Sequence, residues 1–165
     1  MSRIWKFGRD VDTDQIVPGR YAPYMRPDAD VGTAAFIEAH PDFNENAQPG
    51  DIIVADDNFG CGSSREYAPQ ALKNRKITAI IAKSFARIFY RNAINLGLPV
   101  FVAPDVVDAV NDNDSAELNV VDSKLQVGDK SFDLPALPEF ALQIVESGGI
   151  ASYVKAHGRF PETIG

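Results

Sequence analysis

Short apolar runs alternate with polar turns along most of this chain, and their spacing predicts where strands and helices lie. Residues 52–55 form an apolar, mostly β-branched run that is bounded by Gly50 and Asp51 on one side and by two aspartates on the other. This pattern is typical of a strand buried on both faces of a sheet. Residues 77–82 and 99–103 repeat it, and the alternating residues 3–8 predict a further strand at the start of the chain.

Two helices are predicted between the buried strands. Ser63 and Glu66 fit the S-x-x-E capping box, so the first helix is predicted to begin at Ser63 or Ser64. The second is predicted to run from Ser84 to Gly97, with four apolar residues near one face: Phe85, Ile88, Phe89 and Leu96. This succession of strands and helices predicts two right-handed crossovers and an α/β fold with a mostly parallel central sheet.

The rest of the chain adds smaller elements around this sheet. Three short runs separated by turn residues predict an antiparallel meander: residues 117–121, 124–127 and 130–134. Short helices are predicted at residues 31–39, 106–110, 140–145 and 150–156, and residues 42–49 are predicted to be a polar connection. The length and the lack of a linker predict a single domain over residues 1–165.

A polar loop with two glycines connects the strand at residues 52–55 to the helix that follows. Gly60 and Gly62 let the backbone approach a ligand closely, and Arg65 adds a guanidinium beside the expected helix N-terminus. Such a place binds carboxylates or phosphates. The loop lacks the lysine of a nucleotide-binding P-loop, which disfavours a nucleotide. A capping box without any chemistry remains an alternative explanation of the same residues.

Composition excludes several classes of protein. A net charge of −7 and an isoelectric point near 4.7 argue against a nucleic-acid-binding surface. The single cysteine excludes an internal disulfide and a cluster held only by thiolates of this chain. The sequence has neither a signal-peptide pattern nor an apolar run near the ~20 residues of a membrane helix. We therefore expect a cytoplasmic protein.

Two further polar features are interpreted as structural. Asp10, Asp12 and Asp14 alternate like calcium ligands, but the glycine and glutamate that complete an EF-hand loop are missing. We interpret them as a turn whose side chains satisfy local backbone amides. His40 precedes a proline at the end of the helix predicted at residues 31–39, so we interpret it as a partner of that helix's C-terminal dipole.

Three other reactive or charged side chains receive similar interpretations. Arg87 and Arg91 lie four residues apart on one face of the second predicted helix, which favours a pair of solvated charges. Cys61 lies between the two glycines of the loop, and neither histidine of the chain is close to it in sequence. We interpret Cys61 as a small packing residue and not as a nucleophile.

Two segments carry a resemblance to a known family. DNFGCGSSRE at residues 57–66, followed by SFARIFYRNAINLGLPV at residues 84–100, resembles the small subunit of 3-isopropylmalate dehydratase and its homoaconitase relatives. These proteins correspond to the swivelling domain of aconitase. The likeness begins at DVDTDQI, residues 10–16, and extends to about Pro104. It implies a swivelling β/β/α domain whose mostly parallel sheet carries an additional short antiparallel strand region.

The resemblance also implies an activity. It implies that the chain serves in leucine biosynthesis, in a hydro-lyase that isomerises 2-isopropylmalate to 3-isopropylmalate by dehydration and rehydration. Ser63 matches the family's catalytic base, an alkoxide, while Gly62, Ser64 and Arg65 match positions that bind substrate oxygens. A separate large subunit is implied as the partner in a heteromer. By the same resemblance, that subunit is expected to carry the four-iron four-sulfur cluster, and this chain is expected to hold no metal.

Substrate choice remains open at this stage. Tyr24, Met25 and Arg26 are the best match to the motif that selects the substrate's γ-substituent in the family, so Tyr24 and Arg26 are expected to bind substrate. Extra residues precede that motif here, and Tyr21 is an alternative for the same position. Dehydratases for homocitrate-type acids, citraconate or a dimethylmalate remain alternatives, as does a non-catalytic module that binds a carboxylate.

Overall fold

A seven-stranded sheet forms the centre of the molecule, in the order β4-β3-β2-β1-β5-β6-β7. The computed structural model describes residues 1–63 and 65–161. The strands are β1 (Ser2–Lys6), β2 (Ile52–Ala55), β3 (Ala79–Ala82), β4 (Val100–Val102), β5 (Ser115–Asn119), β6 (Lys124–Val127) and β7 (Lys130–Asp133). All four residues of β2 and all four of β3 are buried, as expected for central strands whose apolar residues are consecutive.

The sheet changes character at β1. Strands β1 to β4 pair in parallel, whereas β5 pairs antiparallel with β1 and continues into the antiparallel strands β6 and β7. The prediction of an α/β fold with a parallel central sheet and a short antiparallel region is therefore confirmed. The meander β5-β6-β7 extends the same sheet beyond β1, so both regions share one row of strands.

In the part of the chain that the structure describes, seven α-helices accompany the sheet: α1 (Thr13–Ile16), α2 (Pro41–Asn46), α3 (Tyr67–Asn74), α4 (Arg87–Asn95), α5 (Pro104–Ala109), α6 (Glu139–Glu146) and α7 (Ile150–His157). Helices α3 and α4 form the two predicted crossovers, and α4 also packs on α6 and α7. The longest helix, α4, has nine residues, so no helix within residues 1–63 and 65–161 could cross a bilayer.

The predicted start of α3 at Ser63 or Ser64 is wrong. The helix begins at Tyr67, and its N-cap residue Glu66 makes no side-chain capping hydrogen bond. Pro69 gives the physical reason. A proline is tolerated in the first turn, where its missing N–H has no partner in any case, but deeper in a helix its ring clashes with the carbonyl four residues earlier. A start at Tyr67 places Pro69 in the first turn.

Three predictions around His40 are also wrong. Residues 31–39 contain only a short 3-10 helix at Val31–Ala34, and the expected polar connection contains helix α2. His40 is not a C-terminal dipole partner. It is the N-cap of α2, where its Nδ1 accepts a hydrogen bond of 3.2 Å from the Phe43 N–H. Pro41 at the first helical position favours this arrangement, because its fixed φ suits a helix start.

Candidate active site

The glycine loop after β2 lies between the segments that follow β1 and β3. The Gly60 N–H donates to the Val11 carbonyl at 2.7 Å, and the Phe59 N–H donates to the Ser84 carbonyl at 3.0 Å. The Ala86 N–H donates back to the Phe59 carbonyl, also at 3.0 Å. Ser84 and the residue after it are thus extended and pair with the glycine loop like a strand. Helix α4 therefore begins three residues later than predicted. Crevices at the carboxyl ends of parallel strands are the usual ligand sites of open α/β sheets.

The segment after β1 is fixed by the aspartate turn. Asp12 Oδ1 accepts a hydrogen bond of 2.7 Å from the Gln15 N–H, and Gln15 Oε1 accepts one of 3.0 Å from the Asp12 N–H. The prediction that these acids satisfy local backbone amides is confirmed for Asp12. This reciprocal cap makes Thr13 the first residue of α1, and the Thr13 N–H donates to the Cys61 carbonyl at 2.9 Å.

Thr13 and Ser63 meet through their side chains although they are 50 residues apart. Thr13 Oγ1 lies 3.2 Å from Ser63 Oγ and 3.1 Å from the Ser63 carbonyl oxygen, to which it can donate. Only 2% of Thr13 is exposed, whereas Ser63 is open to solvent. Because a threonine hydroxyl has one proton and two lone pairs, it can accept from Ser63 Oγ while it donates to the carbonyl.

Gly60 is required where the loop crosses α4. Its φ is +84°, and a Cβ at this position would lie 2.2 Å from Cγ and 2.4 Å from Cβ of Phe89. Phe89 is a buried residue of α4, so its ring cannot move out of the way without disturbing the core. The absence of a side chain at residue 60 therefore lets the loop that ends at Ser63 lie directly on α4.

Arg65 is held by two tyrosines. Its Nη1 donates to the Tyr67 hydroxyl, and hydrogen bonding to Tyr67 and then to Tyr24 raises the pKa of the Arg65 guanidinium. An arginine is protonated at neutral pH in any case, so Arg65 is a cation in this site. Tyr67 is the first residue of α3, so the helix start that differs from the prediction also positions this guanidinium.

These loops surround a cavity of about 510 Å³. Four groups of residues line it: Thr13 of α1; Gly60, Gly62, Ser63 and Arg65 of the loop; Ala86 before α4; and Arg87, Ile88, Phe89, Arg91 and Asn92 of α4. Arg87 and Arg91 were interpreted as a solvated pair. Both are exposed, but they line the cavity that contains Ser63; their spacing places them on one face of α4 without showing what that face meets.

The loop expected to choose the substrate lies beside this cavity. The Arg26 guanidinium stacks over the Tyr21 ring at 4.4 Å from its centroid, and Arg20 pairs with Glu38. Tyr24 is 68% exposed and reaches the site through Arg65. The structure thus brings together Gly62, Ser63 and Arg65, whereas Tyr24 and Arg26 are not among the described residues that line the cavity. Ser64 lies outside the described residues.

The other candidate side chains lie in surroundings that are typical of structural residues. Burial and then the carboxylates of Asp12 and Asp10 raise the pKa of the Cys61 thiol, which keeps it protonated and poorly nucleophilic. The His157 ring stacks on Tyr153 at 4.1 Å between centroids. Among residues 1–63 and 65–161, no three His, Cys, Asp or Glu side chains lie close enough together to hold a metal ion.

Residues 11–104 match the model of the family described as "Aconitase C-terminal domain". The chain is 47% identical over 161 residues to the homoaconitase small subunit of Thermus thermophilus, which covers 98% of this chain and 99% of that protein. It is 46% identical over 161 residues to 3-isopropylmalate dehydratase small subunit 1 of Deinococcus radiodurans, which covers 98% of this chain and 90% of that protein.

A solved structure has the same fold. It is a crystal structure of 3-isopropylmalate dehydratase from Methanocaldococcus jannaschii, with a TM-score of 0.84 and 39% sequence identity. The match covers 95% of this chain and 93% of that one. The similarity therefore includes the antiparallel meander and the C-terminal helices as well as the segment that the family model matches.

Proposed function

This chain belongs to the aconitase C-terminal domain family, and from that membership we propose that it is the small subunit of a 3-isopropylmalate dehydratase. Such a hydro-lyase interconverts 2-isopropylmalate and 3-isopropylmalate through an unsaturated acid. The observation that carries this proposal is the cavity that an exposed serine, Ser63, and the cationic residue Arg65 line together. A base and an anion-binding cation are the groups that the reaction requires from this chain.

Ser63 acts as the base in the proposed reaction. As an alkoxide it removes the carbon-bound proton while the hydroxyl of the neighbouring carbon departs, and it returns a proton when water adds in the opposite orientation. A free serine is far too weak an acid to ionise at neutral pH, so the site must stabilise the anion. Helix α3 begins at Tyr67, beyond Ser63, so in this proposal the anion is stabilised by the Thr13 hydroxyl, 3.2 Å from Ser63 Oγ, and by the positive charge of Arg65 in the same cavity.

Thr13 is a positioning residue in this mechanism. When Ser63 is protonated, Ser63 Oγ donates to Thr13 Oγ1, which donates to the Ser63 carbonyl. When Ser63 is an alkoxide, a rotation of the Thr13 hydroxyl turns its proton toward Ser63 Oγ, because the two acceptors are 3.1 and 3.2 Å away. A buried donor that needs no other movement is an effective way to stabilise developing negative charge.

The substrate's carboxylates bind cations and backbone donors of this chain. Arg65 provides the guanidinium nearest to Ser63 in sequence, and Gly62 leaves the backbone accessible beside it. Ser64 adds a hydroxyl, a role that rests on the sequence alone. In the proposed enzyme, the stacked pair of Arg26 and Tyr21, with Tyr24 against Arg65, lies beside the cavity and distinguishes one γ-substituent from another.

The cofactor and the other half of the site come from the partner. Cys61 is the only cysteine of the chain, so this chain cannot provide the several thiolates of a four-iron four-sulfur cluster. The cluster is accordingly assigned to the large subunit, where it supplies the Lewis acid that takes the leaving hydroxyl. The proposed enzyme is a cytoplasmic heteromer of the two subunits that serves leucine biosynthesis.

The decisive experiment compares this chain alone with this chain plus the co-expressed large subunit. Both samples are assayed with isopropylmalate, homocitrate, citraconate and dimethylmalate, and formation or loss of the unsaturated acid is followed by ultraviolet absorbance. We expect no turnover by the chain alone and the highest kcat/KM of the complex for isopropylmalate. A higher value for homocitrate would assign the chain to a homoaconitase. Turnover without a partner would refute the subunit proposal, and carboxylate binding without turnover by the complex would favour a binding module.

Replacing Thr13 by valine tests the positioning role in the same complex. The two side chains have nearly the same shape, so the change removes the hydroxyl and leaves the packing intact. We expect kcat to fall by about 10²-fold, with KM unchanged, because one donor to the alkoxide is lost. We also expect the kcat–pH profile to shift toward higher pH, because the alkoxide is less stabilised. This shift is the specific readout, since a purely structural role would not produce it.

Thr13→Ser is the matched control, because it restores the hydroxyl and should recover most of kcat and the original pH profile. Thermal unfolding of both variants shows whether they are folded at the assay temperature. Equal kcat values for the valine and serine variants would mean that the hydroxyl of residue 13 has no part in the reaction.

A further inference from the structure

A second depression lies next to the Ser63 cavity on the other side of α4. It has a volume of about 510 Å³, and we call it the apolar groove after its main lining residues: Phe85, Tyr90, Ile94, Val102, Pro138 and Phe140. Arg87 and Arg91 line both the apolar groove and the Ser63 cavity. The two arginines therefore form a cationic ridge that separates the two depressions.

Exposed apolar side chains lie on both sides of this ridge. Ile88 borders the Ser63 cavity and is 49% exposed, and Val102 borders the apolar groove and is 43% exposed. Val102 ends β4, which is an edge strand of the sheet. Apolar side chains that share a surface with arginines are characteristic of protein interfaces, where both kinds of residue make large contributions to binding.

The ridge carries charge opposite to that of the chain as a whole. The protein has a net charge of −7, yet Arg65, Arg87 and Arg91 face the same cavity. Within residues 1–63 and 65–161, no carboxylate lies within ion-pair distance of Arg87 or Arg91. A partner that covers the ridge must bring acidic groups for these guanidiniums and apolar groups for the groove.

We propose that the cationic ridge and the apolar groove are a docking surface for the large subunit. An acidic segment of that subunit pairs with Arg87 and Arg91, and apolar side chains of the same segment fill the groove. The inference rests on the proposed function, which requires such a partner. Because the ridge is a common wall, a segment seated in the groove also covers one rim of the Ser63 cavity and limits the access of water to it.

Two variants test the surface in its apolar and charged parts. Val102→Asp places a charge in the groove, and its solvent exposure means that the isolated chain should still fold. Arg87→Gln with Arg91→Gln neutralises the ridge. Association with the purified large subunit is measured directly by isothermal titration calorimetry, and also as the large-subunit concentration that gives half-maximal activity.

We expect each variant to weaken association by about 10-fold or more, because desolvated charge pairs and buried apolar anchors dominate interface energies. Added salt should weaken association of the unmodified chain, whereas the double arginine variant should respond much less. For Val102→Asp, kcat at saturating large subunit should equal that of the unmodified chain. The matched control for Val102→Asp is Val121→Asp, at a 60% exposed turn position after β5. The matched control for the arginine variant is Lys130→Gln with Lys155→Gln.

Unchanged association of both test variants would overturn the proposal. A raised KM with unchanged association of the arginine variant would also overturn it, since the ridge would then bind substrate. The calorimetric measurement needs no turnover, so these outcomes remain distinct from a failure of the proposed function, which would appear as an inactive complex of the unmodified chain.

Discussion

Ser63→Ala in the reconstituted complex is expected to lower kcat by about 10³-fold or more, because no other group can take the carbon-bound proton from the same position. KM should change little, since the loss falls on the transition state and not on the binding of the ground state. Steady-state kinetics with isopropylmalate, compared at equal concentrations of assembled complex, measures both quantities. The alanine variant should still bind the large subunit as the unmodified chain does.

The structure predicts a smaller effect of this substitution on stability than the largest that the sequence suggested. If Ser63 were an N-cap, its loss would destabilise the protein by about 0.5–2 kcal/mol and complicate the kinetics. Helix α3 begins at Tyr67 instead, and Ser63 Oγ contacts Thr13 Oγ1. We therefore expect a change in unfolding free energy of about 1 kcal/mol, as for one partly buried hydrogen bond.

Ser152→Ala is a suitable control for this prediction, because Ser152 is an exposed serine of α7 remote in sequence from the loop. Ser63→Gly adds a second variant without the hydroxyl. If a fully assembled Ser63→Gly or Ser63→Ala complex turned over at the rate of the unmodified enzyme, Ser63 would not be the base, and the carboxylate-binding role of the loop would be all that remained of the site.

Gly60→Ala is expected to destabilise the chain by about 3 kcal/mol or more, through two additive effects. The first is the positive φ of +84°, which an L-residue adopts unfavourably. The second is the overlap of the new methyl group with Cβ and Cγ of Phe89, at 2.4 and 2.2 Å. These atoms lie at the base of the side chain, so a change of rotamer cannot remove the overlap. Urea-induced unfolding of the isolated chain measures the loss.

Gly128→Ala separates the two effects. Gly128 has a φ of +58°, and nothing lies within 4 Å of the position that a Cβ would occupy. It should therefore show only the conformational effect, about 1–2 kcal/mol. If Gly60→Ala were no more destabilising than Gly128→Ala, the close packing of the loop on α4 would be in error. A Gly60→Ala complex that assembles should also have a lower kcat, because the loop that carries Ser63 would be displaced.

The sequence by itself determined the central strands and their order of connection. Residues 52–55 and 124–127 were predicted with the bounds that the structure has for β2 and β6, because short apolar or alternating runs end at glycine and aspartate turns. The glycine loop was recognised from local chemistry, and so was the resemblance that the comparisons with known proteins confirmed. Each of these signals lies within a few neighbouring residues.

Competing local signals explain the helix boundaries that were wrong. Ser63 and Glu66 indicated a capping box, but Pro69 requires a later start for α3. His40 and Pro41 were interpreted as the end of one helix, whereas they begin the next. In both places two patterns with known physical meaning overlap within a few residues, and a proline, which is favoured in the first turn, decides where the helix begins.

Only the tertiary structure decided which groups share the site. The contact between Thr13 and Ser63 joins two turns 50 residues apart, and no periodicity in either segment encodes it. The spacing of Arg87 and Arg91 placed them on one face of α4, but a helical pattern does not say what that face meets. That depends on the parallel order of β1, β2 and β3, which brings three loops to one edge and turns a solvated face into the wall of a cavity.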